Sequence, residues 1–133
     1  MSDKLKVAIY CRVACEDNDA IERQEIQVRD YASNQGHNDI AVYSDNGYNG
    51  LTFDRPAFMR MESDIEAGEI GMVISRDLSR ISRNTLDTFD WLGRIKRSGI
   101  MFKSVNEGMI DSCFLNFGNA LRKAYREHLT QQR

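Results

Sequence analysis

No run of apolar residues in this 133-residue sequence is long enough to span a bilayer. The N-terminal Met1-Ser2-Asp3-Lys4-Leu5-Lys6 passes into a strand-like segment without the organisation of a signal peptide. A cytoplasmic location and no membrane partner are expected. Histidine is scarce, with only His37 and His128, and the three cysteines, Cys11, Cys15 and Cys113, are odd in number and lack paired spacing. Reduced thiols follow, with no structural metal. Neither a Gly-Lys-Ser/Thr ending nor a G-x-G-x-x-G pattern follows Gly47 and Gly50, which argues against nucleotide hydrolysis. Repeats and low-complexity linkers are also missing. Finally, there is no excess of positive charge: 18 Lys and Arg against 20 Asp and Glu leave a net charge of -2. A surface built to coat nucleic acid is excluded, whereas a local basic cleft is not.

What is present is enough hydrophobic material, 41 %, for one compact core. Charge is unevenly placed. Arg76, Arg80, Arg83, Arg94, Lys96 and Arg97 fall in one stretch, while acidic residues dominate 16–19 and 62–69. The pattern reads as a basic site on an acidic scaffold, with decoration of a helix surface as the alternative.

Apolar runs at 6–11, 40–43, 70–75 and 100–105 have the length and composition of strands. Between them, helical spacing recurs at 20–35 (Ile21, Val28, Tyr31, Ala32), from Pro56 to near Gly68 (Phe58, Met61, Ile65), and at 85–98 (Leu86, Phe89, Leu92, Ile95). Gly36 and Gly99 stand where helices stop, and Pro56, the only proline, suits a first helical turn. This alternation predicts an α/β fold: a mostly parallel central sheet of four or five strands with helices on both faces. A further helix is expected at 114–133.

In such a fold, ligands sit at the C-terminal ends of the strands. Three loops meet that condition: 12–19, 45–56 and 76–84. They carry Arg12, Arg55, Arg80 and Arg83. Arginine suits a phosphodiester because its planar fork makes parallel charge-assisted hydrogen bonds and keeps its charge at any working pH. If the four converge, they can stabilise the charge of a phosphoryl-transfer transition state without a metal. Taken alone, Arg76-Asp77-Leu78-Ser79-Arg80-Ile81-Ser82-Arg83-Asn84 reads equally well as a phosphate clamp or a solvated basic turn. Asp45 and Asp54 are candidates for a shared metal. For Asp54, holding an arginine in place or capping the helix that begins at Pro56 fits better.

Five ordered motifs then narrow the choice. They are Tyr10-Cys11-Arg12-Val13, Ile21-Glu22-Arg23-Gln24, Tyr43-Ser44-Asp45-Asn46-Gly47-Tyr48-Asn49-Gly50, Asp54-Arg55-Pro56-Ala57-Phe58, and Asp77-Leu78-Ser79-Arg80-Ile81-Ser82-Arg83-Asn84. Together they resemble the catalytic domain of the serine recombinases, the family of resolvases, invertases and the large integrases and transposases of mobile elements. The resemblance runs from about Lys6 to Asp111. It implies DNA strand exchange in which a serine hydroxyl attacks a DNA phosphate, forms a 5'-phosphoserine link and releases a 3'-hydroxyl, with no metal or cofactor. It further implies that Arg12, Arg80 and Arg83 bind the scissile phosphate, that Gln24 and Arg55 complete or support the site, and that Asp54 orients neighbouring arginines. Asp77 and Ser79 belong to the third loop as supporting residues. Its Leu78-Ser79-Arg80 is the form common in the large subgroup, where small resolvases usually carry aspartate at the position of Ser79. DNA is the implied partner, bound by a homodimer that becomes a tetramer in the synaptic complex.

One departure is chemical. The position of the nucleophilic serine is Ala14, and a methyl group cannot attack phosphorus. Natural loss of cleavage, an inactivating substitution, or a nucleophile shifted to Cys15 would each account for it, with a cleavage-deficient, recombinase-derived DNA-binding or regulatory protein as the alternative function. The other departure is extent: no DNA-specificity domain is recognisable, so residues 1–133 read as a resolvase-type catalytic domain within a longer recombinase.

Overall fold

The computed structural model describes residues 5–109. The expected helix at 114–133 lies outside them. In chain order the elements are β1 (Lys6–Val13), α1 (Asn18–Asn34), β2 (Ile40–Asn46), α2 (Pro56–Glu66), β3 (Ile70–Ser75), a 3-10 turn (Leu78–Arg80), α3 (Thr85–Arg97), β4 (Met101–Ser104) and β5 (Gly108–Met109). The sheet order is β2-β1-β3-β4-β5, with β5 antiparallel to β4 and every other pairing parallel.

Alternation along β1 divides the core. Val7, Ile9 and Cys11 face α1, where they pack with Ile21, Val28 and Ala32. Ala8 and Tyr10 face the opposite way, into a larger cluster with Phe58 and Met61 of α2 and Phe89, Trp91, Leu92 and Ile95 of α3. Both faces of the sheet are covered, which is why its strands read as nearly continuous apolar runs. The helices end where left-handed glycines were expected, at Gly36 (φ 89°) and Gly99 (φ 82°). Among the described residues no helix is long and apolar enough to cross a membrane.

Topology fixes where a site can form. From β1 the chain moves through α1 to one neighbour, β2, and then returns past β1 through α2 to the other, β3. The connections leave β1 and β3 in opposite directions, which opens a crevice at their C-terminal ends. Two strand ends run well past the sequence expectation. β1 continues through Arg12 and Val13, and β2 through Asn46, because the ends of the two strands pair with one another: Arg12 with Asp45 and Val13 with Asn46. Arg12 is therefore a strand residue held in register, rather than the first residue of a loop.

The start of α2 also corrects the sequence expectation. Asp54 is exposed and does not cap the helix; the N-cap position is Arg55, whose side chain makes no capping bond. The carboxylate that serves this end is Asp45, from the end of β2. Its Oδ1 accepts from the Ala57 backbone N–H at 2.8 Å, and its Oδ2 accepts from the Phe58 N–H at 3.0 Å and the Tyr10 hydroxyl at 2.6 Å. A buried carboxylate is favoured here because its charge faces the orphan donors of a helix N-terminus.

Candidate active site

Arg12 reaches the crevice from the end of β1 with only 2 % of its surface exposed. Gln24 of α1 clamps its backbone from both sides, its Oε1 accepting from the Arg12 N–H at 2.9 Å and its Nε2 donating to the Arg12 carbonyl at 3.1 Å. Here β1 has outrun β3, whose pairing stops at Tyr10 and Ser75, so the glutamine amide stands in for a neighbouring strand. The Arg12 guanidinium donates from Nε to the Arg80 carbonyl (3.1 Å), from Nη1 to the Tyr48 carbonyl (3.0 Å) and from Nη2 to the Ser79 carbonyl (2.6 Å). Burial, and then the neighbouring Arg55 guanidinium, lower its pKa. Two of its five N–H groups remain uncommitted.

Arg55 is buried more completely and used more fully. It donates to the Thr52 carbonyl (2.9 Å), the Tyr10 hydroxyl (2.9 Å), the Arg80 carbonyl (2.9 Å) and the Ile81 carbonyl. Its guanidinium also lies 4.7 Å from the centre of the Phe58 ring. With Asp45 bonded to the same Tyr10 hydroxyl, the charge is neutralised one residue away. Desolvation by burial, and then the hydrogen bond to Asp45, raise the pKa of Tyr10.

The Arg80 carbonyl thus accepts from both buried arginines. Arg12 and Arg55 fasten the backbone of the turn after β3, while the Arg80 side chain is largely buried and folds back onto the end of β1. Asp77 caps it, its Oδ1 accepting from the Ser79 N–H at 3.0 Å and from the Ser79 hydroxyl. Its Oδ2 stands 3.4 Å from Arg80 Nε and 3.5 Å from Arg76 Nε. Arg80 Nη1 donates to the Arg12 carbonyl at 3.0 Å. Arg83 is exposed, and its backbone N–H donates to the Gly50 carbonyl at 2.8 Å.

Around these groups lies a cleft of about 420 Å³ whose walls include Arg12, Ala14, Ser79, Arg80, Ser82 and Arg83. Of the residues singled out in the sequence, the fold brings Arg12, Ala14, Ser79, Arg80 and Arg83 to one cavity. Gln24, Arg55 and Asp77 stand behind it as supports. Asp54 does not join them: among the described residues no hydrogen bond or ion pair links it to an arginine, and the carboxylate nearest the cleft arginines is Asp77. Cys15, next to Ala14, is exposed and is not one of the residues lining the cleft.

Gly50 escaped sequence reasoning beyond its membership of a turn-rich segment. A Cβ placed on it would lie 2.5 Å from Arg83 Cγ and 2.6 Å from Arg12 Nη2. The 45–56 loop can close on the cleft only because that hydrogen is not a methyl. Gly50→Ala is expected to displace both arginines, costing about 1–3 kcal/mol of stability.

The two thiols near the site differ in kind. Cys11 is fully buried, and desolvation, followed by the Glu25 carboxylate, pushes its pKa up to about 12. With Cys113 replaced by serine, a thiol reagent at about pH 8 should titrate only Cys15 in the folded protein and both remaining thiols after denaturation. The raised pKa also sets a pH window for stability. The Cys11 contribution is complete below the ordinary 9.0 and is lost as pH rises toward about 12, because the unfolded chain ionises first. A Cys11→Ala variant should lose that part of the alkaline decline in urea unfolding.

Comparison with known proteins agrees with the fold. Residues 7–132 match the family model described as Resolvase, N terminal domain. The N-terminal catalytic domain of TP901-1 integrase superposes with a TM-score of 0.83 at 33 % identity, covering 92 % of this chain and 97 % of that one. A putative DNA recombinase of Bacillus subtilis (strain 168) is 35 % identical over 83 residues, 61 % of this chain and 16 % of that protein. A resolvase of Clostridium perfringens is 28 % identical over 122 residues, 92 % of this chain and 60 % of its own length. The chain therefore spans less than two thirds of these two relatives. The fold, the cleft at the β1–β3 switch and the match over 7–132 lead to one conclusion: the chain belongs to the resolvase N-terminal domain family, the catalytic domain of the serine recombinases.

Proposed function

We propose that the cleft grips a phosphate of DNA as the strand-exchange site of a recombinase, and that this chain as it stands holds the phosphodiester without cutting it. The observation that carries this is the composition of one cavity wall: Arg12, Arg80 and Arg83 together with Ala14. The arginines present charge and unspent N–H groups where a phosphate would sit, and the methyl of Ala14 occupies the place from which a hydroxyl would attack. Arg12, Arg80 and Arg83 are the phosphate ligands. Gln24 and Arg55 hold Arg12 and the 78–83 turn in position, and Asp77 orients Arg80 directly and Ser79 through its cap. On this reading the full-length protein acts on DNA as a dimer, and as a tetramer when two sites are brought together.

The test is binding and cleavage by the native full-length protein on DNA from the ends of its own element. Site-specific retardation with no detergent-resistant product is expected, and Arg80→Ala and Arg83→Ala should each weaken binding about tenfold. A covalent product from the native chain would overturn the non-cleaving assignment. Unchanged affinity in both arginine variants would overturn the cleft as the place where DNA is held.

A further inference from the structure

The 47–53 segment carries two exposed apolar residues, Tyr48 and Leu51, on a backbone bonded to the cleft, a feature that phosphate binding does not use. Its backbone is latched to the cleft by three hydrogen bonds: Arg12 Nη1 to the Tyr48 carbonyl (3.0 Å), the Arg83 N–H to the Gly50 carbonyl (2.8 Å) and the Ser82 hydroxyl to the same carbonyl (3.2 Å). Gly50 is packed directly onto Arg12 and Arg83. On either side of it, Tyr48 is 39 % exposed and Leu51 is 65 % exposed. The Tyr48 carbonyl bonds Arg12 directly and Leu51 follows Gly50 by one Cα step of about 3.8 Å, so the backbone of both residues runs along the edge of the cleft, outside its own lining.

We infer that Tyr48 and Leu51 form an apolar contact for the sugars and base edges that flank the gripped phosphate. This rests on the assignment of the cleft to DNA. A phosphodiester seated on Arg80 and Arg83 brings its own deoxyribose and the adjoining base step to the rim of the cleft. Two exposed apolar groups, held there by a latched loop, match that surface better than they match water. Side chains of this kind contact DNA by covering sugar faces or wedging against a base step. They are sequence-tolerant because every nucleotide offers an apolar face. Continuity with the basic cleft selects DNA as the occupant over a second copy of this chain.

The contact differs from an arginine contact in a measurable way. Neutralising a phosphate releases counterions, so an arginine contributes to the salt dependence of binding, whereas an apolar contact does not. The full-length protein and its Tyr48→Ser, Leu51→Ser and Arg83→Ala variants would be titrated by anisotropy with a fluorescein-labelled duplex carrying the element's ends, across a salt series. The two loop variants are expected to bind about 5- to 20-fold more weakly with an unchanged slope of log K against log salt. Arg83→Ala should lower that slope by about 1. Thermal unfolding of the loop variants should match the native protein, since both side chains are exposed. Unchanged affinity in the loop variants alongside a lowered slope for Arg83→Ala overturns the apolar contact and leaves the cleft assignment standing. Unchanged affinity with a shift in oligomeric state assigns the patch to a protein interface instead. Loss of neither slope nor affinity in Arg83→Ala means that the underlying assignment to DNA has failed.

Discussion

Ala14→Ser in the full-length protein is expected to convert a binding site into a cutting one, yielding a protein–DNA adduct that survives denaturation where the native chain yields none. Residue 14 lines the same cleft as Arg12, Arg80 and Arg83. An introduced hydroxyl would attack phosphorus, the P–O3' bond would break, and the protein would be left joined to the 5'-phosphate through an ester. On the proposed reading the arginines would supply the preorganised charge that such a transition state needs, a contribution of several kcal/mol that cannot act without a nucleophile. The contrast should span several orders of magnitude in rate, because a step absent from the native chain becomes available. Adduct formation should be abolished again by Arg80→Ala in the same background. If Ala14→Ser forms no adduct on the correct DNA while still binding it, the cleft is not arranged for transesterification.

The largest effect on stability is expected at Arg55. Its side chain is 1 % exposed and serves four acceptors, two of them carbonyls of the turn that carries Arg80. Truncation to alanine removes those donors together, leaves the carboxylate of Asp45 with one neighbour fewer of opposite charge, and opens a void beside Phe58. Breaking a buried charged network by removing one partner costs about 3–5 kcal/mol. Arg55→Lys should recover only part of it, because an ammonium carries its three donors on one nitrogen and cannot span four separated acceptors. The checks are urea unfolding for the stability loss and DNA affinity for its consequence, the release of the Arg80 turn. A loss below about 1 kcal/mol would show that the turn is held by other means.

How far the sequence led can be judged from these same residues. The alternation of strands and helices was legible because both faces of the sheet are covered, which leaves uninterrupted apolar runs at 6–11 and 70–75. Arg80 and Arg83 were legible for a related reason: they follow such a run and precede a helix. The far end of β1 was not, since Arg12 looks like the first residue of a loop until its pairing with Asp45 is seen. The helix cap was misplaced for a similar cause. Asp54 lies beside the helix in sequence, but the fold brings Asp45 to it from the end of β2, and only tertiary contact reveals that. Gln24 entered through family resemblance alone, because a glutamine on a helix carries no local sign that its amide will complete a strand. The division of labour among the arginines was the least visible. All four look alike in sequence, yet Arg55 is consumed in building the turn, Arg12 divides its donors between the turn and the cleft, and Arg80 and Arg83 line the cleft, a distinction made by burial and by the carbonyls within reach.

The most direct measurement of the central claim is the NMR signal of each arginine Nε–Hε group in the native full-length protein as DNA from its element is added. Arg80 and Arg83 are expected to shift and saturate with the binding curve, while Arg55, enclosed by Thr52, Tyr10 and the 80–81 carbonyls, stays in place. Saturable DNA binding with the Arg80 and Arg83 signals unmoved would contradict the account, because the phosphate would then be held somewhere other than this cleft.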